Sequence, residues 1–569
     1  MPKIFGGQTG FSAVLRLKSI RALVVGSALG LMPAMQPAVV QAQALELSPV
    51  AALPAPRLVF SAQEMALAQE VAAYPGLADF YGTNGLQPIF TGPEGASRRA
   101  ALIAATGQAA SHGLPPARYD QPHLARIDRD MGQGGVDSLQ AELAFAVSFQ
   151  RWTHDLTGGV LNPERVDPGI KRKVARPTTG EMLRAFDQAA NPLAWLEAQA
   201  PQDPEYQILR DALRGKTALA APAGTPLVPT GTWREGMAGP EVGLLRGRLA
   251  AMGLMPASAS ADDLFDAPLT SAVARFQSQT GLTPDGVAGP RTVARLNGGP
   301  TEGSAAILVA LERMRWMHGR DPMARQVWVN LPEYTARILD GGQQVFETRV
   351  VIGKADPEFE TPEFSETMKY LVANPRWNVP RSITVKEYLP RLQANRNAVS
   401  HIDVVDRAGN VIARDRIDFR KYTSANFPYR MRQKPSDDNA LGAVKFMFPN
   451  PWNIYLHDTP TKHLFNQTQR AYSHGCIRVG RPLDLANELL QGQFANPEAR
   501  FQKALESGRE TYLNFSAPVP VHLVYFTAFP DANGRIQRFP DIYGRDAKVY
   551  QALVAAGIQT GLDSAALDH

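Results

Sequence analysis

Ile454-Tyr455-Leu456-His457-Asp458 and Ser473-His474-Gly475-Cys476-Ile477-Arg478 are the two stretches on which the reading of this chain turns. Cys476 is the only cysteine among 569 residues. A free thiol titrates at about 8.5 and is mostly protonated at neutral pH, so a cysteine that acts as a nucleophile needs a base beside it. Two histidines are candidates. If residues 474–478 are extended, His474, Cys476 and Arg478 point to one face, and Tyr455 and His457 do likewise on their own strand. Gly475 leaves room beside the sulfur and lets backbone N–H groups approach an oxyanion. Pairing with either histidine predicts a thiol that titrates below its free value.

Working outward, a lone cysteine is a buried small hydrophobe, an intermolecular linker or a reactive thiol, and composition alone favours the first. Hydrophobic residues make up 44% and charged residues 20%, ordinary usage for globular domains. The length favours several domains. Residues 1–44 differ from the rest: Lys3, Arg16, Lys18 and Arg21 with no acid, an apolar run Ala22–Met32, then Ala42-Gln43-Ala44. This predicts an export signal cleaved after Ala44, because Pro33 and Pro37 interrupt the run before it could span a bilayer. Its loss takes the formal charge from +5 to +1. The remaining basic residues alternate with acids, which excludes a nucleic-acid partner.

From Leu45 to Arg214 the pattern is helical. Asp137 is placed to cap a helix, with Gln140 completing a capping box, and Phe145, Phe149, Trp152 and Leu156 form a core stripe that Gly158 ends. Residues 215–230, with Pro222, Pro226 and Pro229, read as a linker. Residues 231–297 read as a three-helix module: Val242, Leu245 and Leu249 on one face, Asp266 capping Leu269, Val273 and Phe276, and Pro290 opening the third helix. Beyond Ala305, Gln326–Leu331, Tyr334–Leu339, Gln344–Ile352, Lys445–Phe448 and Val519–Ala528 read as strands. Residues 384–434 interrupt them with charged residues, an Asp406–Asn410 turn and aromatics near Phe427 and Tyr429, as expected of a segment covering a site.

On these residues, 231–297 resembles the peptidoglycan-binding domain 1 family, through Gly239-Pro240-Glu241-Val242, Ala274-Arg275-Phe276-Gln277 and Asp285-Gly286-Val287. The two opening motifs, with Asn374-Pro375-Arg376-Trp377-Asn378-Val379-Pro380 and Tyr543-Gly544-Arg545-Asp546, resemble the L,D-transpeptidases with a YkuD-type catalytic domain, in the larger subgroup with a helical scaffold and a wall-binding module. That family places a histidine seventeen to twenty residues before its cysteine, and His457 stands 19 before Cys476. The resemblance implies a multidomain α+β chain: helical scaffold 45–214, peptidoglycan-binding module 231–297, and a mostly-β catalytic domain 305–555 with a capping segment at 384–434. It implies Cys476 as nucleophile, His457 as base and His474 shaping the acyl site, with N–H groups of Gly475 and Cys476 in the oxyanion hole. Arg478 either braces the loop or binds a substrate carboxylate, while Tyr455 and Trp377 either line a peptide groove or pack a core. Smaller family members have glycine where this chain has Asp458, which leaves the role of position 458 open.

The reaction implied is attack on the diamino acid carbonyl of one peptidoglycan stem with loss of D-alanine, then transfer to a second stem in a 3→3 cross-link. Stem peptides and glycan are then the partners. An L,D-carboxypeptidase or endopeptidase using water, and a non-catalytic wall-binding scaffold, are the alternatives. No cofactor is expected: His457, His463 and His474 follow no usual zinc spacing. The mature chain is expected to have no stable membrane span and to lie in the periplasm or at the wall.

Overall fold

The structure is a computed structural model that describes residues 60–217, 225–256, 263–280, 282–297 and 304–558. The expected export signal and its cleavage site lie outside the described residues.

The helical region is built on Ser138–Gly158. Phe145, Phe149, Trp152 and Leu156 are buried on its inner face, and Phe90 stacks on Phe145 at 5.8 Å. Asp137 caps the helix by accepting from the Leu139 N–H, but no capping box forms. The helix includes Gly158 and stops at Gly159, whose φ of +79° favours a residue without Cβ. Helix Ser304–Arg315 inserts Ile307, Val309, Leu311 and Met314 into this same core, as helix Arg545–Ala555 does with Val549 and Leu553. Two helices that sequence reading assigns to the β domain therefore complete the helical one.

The small module holds helices Pro240–Ala251, Ala267–Thr280 and Pro290–Leu296 around Val242, Leu245, Leu249, Val273 and Phe276. Asp266 caps the second by accepting from Leu269 N–H at 2.9 Å. The preceding segment is less of a free linker than its prolines suggest. Helix Pro204–Thr217 runs into it, and Val228 is buried in the module core and exchanges two hydrogen bonds with Asn297.

The β domain strands are β1 (Gln326–Asn330), β2 (Thr335–Asp340), β3 (Gln343–Gly353), β4 (Phe364–Ala373), β5 (Trp377–Asn378), β6 (Ile402–Val405), β7 (Arg430–Gln433), β8 (Val444–Met447), β9 (Leu456–His457), β10 (Ala471–Ser473), β11 (Ile477–Val479) and β12 (Thr511–Val524). Nine of them form one sheet in the order β10-β3-β11-β9-β8-β4-β12-β1-β2, and β2 also pairs with β3. That last pairing closes the sheet into a ring and leaves β10 attached outside it. β1 is buried on both faces: Val327 and Val329 enter the core of the ring, and Trp328 enters the helical core.

Between β4 and β8 an insert carries its own three-stranded sheet, β5-β7-β6, and its own core of Trp377, Leu389, Ile402, Val404, Phe427 and Met431. It reaches beyond the segment 384–434 at both ends.

A buried ionic cluster joins the helical region to the β domain. Arg313 contacts Glu363 and donates to Asp546 Oδ1 at 2.8 Å, and Arg545 lies 3.4 Å from Glu363 and 2.9 Å from Glu360. Next to it, Lys171 N–H donates to Glu363 O and Glu363 N–H to Gly169 O. Removing one partner of a buried pair strands the other's charge and typically costs about 3–5 kcal/mol. Arg313→Ala is therefore expected to lower the free energy of unfolding by about that much in urea titrations. A loss below about 1 kcal/mol would show that the cluster contributes nothing to the join.

Candidate active site

Three adjacent strands build the site. In register, Lys445 of β8 lies beside His457 of β9, and His457 beside Arg478 of β11. Phe446, Leu456 and Ile477 point the other way, into the core of the ring. The alternation of a strand therefore sets a cation, an imidazole and a second cation in a row on the outer face.

Cys476 ends the turn that feeds β11 and is half-buried. Residues 474–476 are not extended as the sequence reading supposes. Gly475 takes a φ of +105°, which swings His474 away while Cys476 keeps its place before Arg478. Two bonds hold this turn. Thr361 Oγ1 donates to Gly475 O at 2.7 Å, and Ser473 Oγ donates to Cys476 O at 2.5 Å.

The Gly475 N–H donates to Ser473 Oγ at 3.1 Å, so its expected place in an oxyanion hole is taken. The Cys476 N–H has no acceptor among the described residues.

His457 is buried, and its Nδ1 lies 2.5 Å from Asp458 O. A carbonyl only accepts, so Nδ1 carries the proton and Nε2 is left with its lone pair. Burial first, then the charge of Arg478, bring the imidazole down to about 3, which keeps it neutral at working pH. This answers the question about position 458. The Asp458 carbonyl orients the imidazole, while its side chain accepts from Ala443 N–H at 2.8 Å and Thr459 N–H at 2.6 Å and pairs with Lys462. Gly442 permits that approach, since a Cβ there would lie 2.3 Å from the Asp458 carboxylate.

No hydrogen bond joins Cys476 to His457. The thiol sits 3.6 Å from Asn453 O and takes hydrogen bonding from Tyr455, whose ring lies 4.2 Å below Lys445 Nζ. Burial pushes the thiol up, against hydrogen bonding from Tyr455 and the charges of Lys445 and Arg478. The resting pair is thus neutral thiol and neutral imidazole, not the low-titrating thiol expected from sequence. Tyr455 touches the sulfur as well as the His457 ring, 5.6 Å away.

Arg478 donates to Thr461 Oγ1 at 3.2 Å, which braces the loop after His457. His474 Nε2 lies 2.7 Å from Glu387 Oε1 of the insert, and its ring meets Phe359 edge-on at 4.8 Å. His474 and Phe359 line a cavity of about 310 Å³ with Glu358, Pro380, Ser382, Ile383 and Lys386. Trp377 does not line it. It is buried in the insert core, edge-on to Tyr388 at 6.3 Å.

Lys445, Thr361, Asn453, Phe359 and Glu387 belong to the site and escape sequence reading. Only Lys445 leaves a signal, as the one charge in an otherwise apolar strand.

These features define a multidomain protein with a cysteine and histidine site on a closed β sheet. Residues 324–497 match the L,D-transpeptidase catalytic domain, YkuD; 75–213 match the scaffold domain; 238–296 match the domain described as "Putative peptidoglycan binding domain". The chain therefore combines a YkuD L,D-transpeptidase catalytic domain with a scaffold domain and a peptidoglycan-binding domain. A Haemophilus influenzae protein described as "Putative L,D-transpeptidase" is 36% identical over 225 residues, 39% of this chain and 45% of that one, so the chain spans less than half of that relative's length. Solved L,D-transpeptidases from Xylanimonas cellulosilytica and Stackebrandtia nassauensis align at 16% and 15% identity, over 52% and 53% of this chain and 100% and 97% of theirs, with TM-scores of 0.14 and 0.15.

The electrostatics predict the behaviour of the only thiol. Iodoacetamide labelling should rise with pH to a midpoint at or above the ordinary thiol range, since burial opposes the thiolate. Lys445→Met and Tyr455→Phe should each move the midpoint further up, because each removes a group that favours the charged sulfur. A midpoint below about 8 in the wild type would contradict a neutral resting pair.

Proposed function

We propose that the chain is a peptidoglycan L,D-transpeptidase that forms 3→3 cross-links through a thioester on Cys476. The observation that carries this reading is the free Nε2 of a neutral, carbonyl-oriented His457 on the same face as Cys476, between two cations. Attack forms a bond between Sγ and the carbonyl carbon of the diamino acid. The thiol proton passes to His457 Nε2 and then to the amine of D-alanine as the C–N bond breaks. In the second half the side-chain amine of another stem attacks the thioester, loses its proton to His457 and forms a new C–N bond, and the sulfur leaves with that proton.

Two cations suit this path. Lys445 and Arg478 disfavour a resting imidazolium, but they stabilise negative charge on sulfur and on the tetrahedral oxygen as it develops. The unpaired Cys476 N–H is the backbone donor available to that oxygen. Peptidoglycan stem peptides are the substrate, with glycan held by the small module. The site of action is at the cell wall, in the periplasm once the leader is removed. No described helix is long and apolar enough to cross a membrane.

Incubating the protein with disaccharide-tetrapeptides and weighing the products tests the reading. Cross-linked dimers are expected from the wild type. Tripeptides alone would mean that water is the acceptor and that the protein is a carboxypeptidase, and unchanged substrate would favour a wall-binding scaffold. Cys476→Ala should give no product and no carbapenem adduct, and His457→Ala should slow acylation by about 10²–10⁴-fold, the range for loss of a general base. A carbapenem adduct surviving in Cys476→Ala would place the nucleophile elsewhere.

A further inference from the structure

The insert has a second cavity, of about 590 Å³, whose chemistry the site above does not use. Its walls carry four arginines, Arg381, Arg407, Arg430 and Arg432. Strand alternation explains two of them. Met431 and Gln433 of β7 turn to the insert core side, so Arg430 and Arg432 share the opposite face, where Asn378 lies beside Arg432 in register.

One acid stands next to this face outside the cavity lining: Asp403 is the cross-strand neighbour of Arg432 and lies 3.4 Å from Lys434. Asp406 is the one acid in the lining, and its carboxylate is held by its own turn, accepting from Asn410 N–H at 2.8 Å and Asn410 Nδ2 at 3.0 Å. Arg407 and Arg430 are exposed and form no ion pair among the described residues. Arg432 gives one nitrogen to Gly409 O at 3.3 Å, while its Nε is buried with no partner. Arg381 donates to Ser424 O. A concave cluster of planar donors with an unused buried N–H is built to take carboxylates, which guanidinium groups bind in a fork geometry.

The position gives this cavity a use. Val379, Arg381 and Thr384 line it, whereas Pro380, Ser382 and Ile383, interleaved with them along the chain, line the cavity beside His474. One turn of chain is the common wall. We propose that the arginine cavity is a carboxylate-binding subsite that holds a second stem peptide while the first occupies the site at Cys476. This rests on the cross-linking reading, in which two stems must be present together and each carries free carboxylates.

Calorimetry on the full-length Cys476→Ala protein tests it, with a soluble stem tetrapeptide as probe. R407Q/R430Q in that background, with an unchanged circular dichroism spectrum and melting temperature, should weaken binding at least tenfold at low salt. Amidating the carboxylates of the tetrapeptide should remove the difference between the two proteins. Equal affinity for the two proteins would overturn the subsite. So would inorganic phosphate competing while amidation changes nothing, since the cavity would then take phosphate and not a stem. Carbapenem acylation of the wild type, followed in parallel, separates this failure from that of the catalytic reading. An adduct with no effect of R407Q/R430Q on binding overturns the subsite alone. Carboxylate-dependent binding without any adduct supports the subsite and overturns the chemistry assigned to Cys476.

Discussion

The buried contacts among Arg313, Glu363, Arg545 and Asp546 are the constraint on which the rest of the structure depends, because they tie two helices of the scaffold core to the loop that shapes the cysteine turn. Arg545 donates to Thr361 O at 3.1 Å, Thr361 N–H to the Tyr543 hydroxyl at 3.3 Å, and Thr361 Oγ1 to Gly475 O. The Tyr543 hydroxyl in turn donates to Gly353 O at the end of β3. Charges taken out of water rarely stabilise a fold in net terms, since desolvation offsets most of the attraction. What such a cluster supplies is geometry: with its partners fixed on two domains it has few ways to be satisfied. Burial pushes Asp546 up to about 6 even with Arg313 beside it, which shows how dry the cluster is.

That geometry decides the state of the thiol. A thiolate and imidazolium pair formed at rest would place a third positive charge between Lys445 and Arg478. The row across β8, β9 and β11 opposes this, so the imidazole stays neutral and the sulfur stays protonated. On the proposed reading, proton transfer then belongs to the attack itself, when negative charge on the sulfur and the carbonyl oxygen makes the two cations favourable instead of repulsive. A neutral resting site of this kind stores no charge before the substrate arrives and places its stabilisation where the charge develops.

Much of this was legible in the sequence, and what was not has physical causes. β2 and β3 read nearly to their ends because alternation over five or more residues is a strong signal, whereas β4 was not read and the strand expected at 519–528 caught only the end of β12 and ran past it; the helix Ser138–Gly158 read correctly because its apolar stripe recurs over about three turns. Closure of the sheet did not show, since it depends on β3 being shared: residues 343–349 pair with β2, while 350 and 351 pair with β11. The insert sheet did not show either, because β5 has two residues and β6 and β7 four each, too short for any period. The spacing of His457 and Cys476 is legible in the sequence, but the turn at Gly475 is not, and the extended conformation supposed for 474–478 does not form. A glycine allows a positive φ without requiring it, and here the requirement comes from Thr361, more than a hundred residues earlier in the chain.

The insert shows how an acceptor could be admitted to a site that must exclude water. Tyr455 packs on the insert core, and at the cavity rim two polar pairs join the insert to the catalytic loops: Glu387 to His474, and Lys386 to Glu358 at 2.6 Å. These exposed pairs are weak in water. The segment making both contacts includes a π-helical turn, Thr384–Tyr388, a geometry that sacrifices regular helix packing and recurs at functional sites. A hydrolase has no need of a walled second cavity, since water reaches any open thioester. A transferase needs its acceptor amine held at the mouth before water arrives, and on the proposed reading the arginines on the far side of the same turn answer that need.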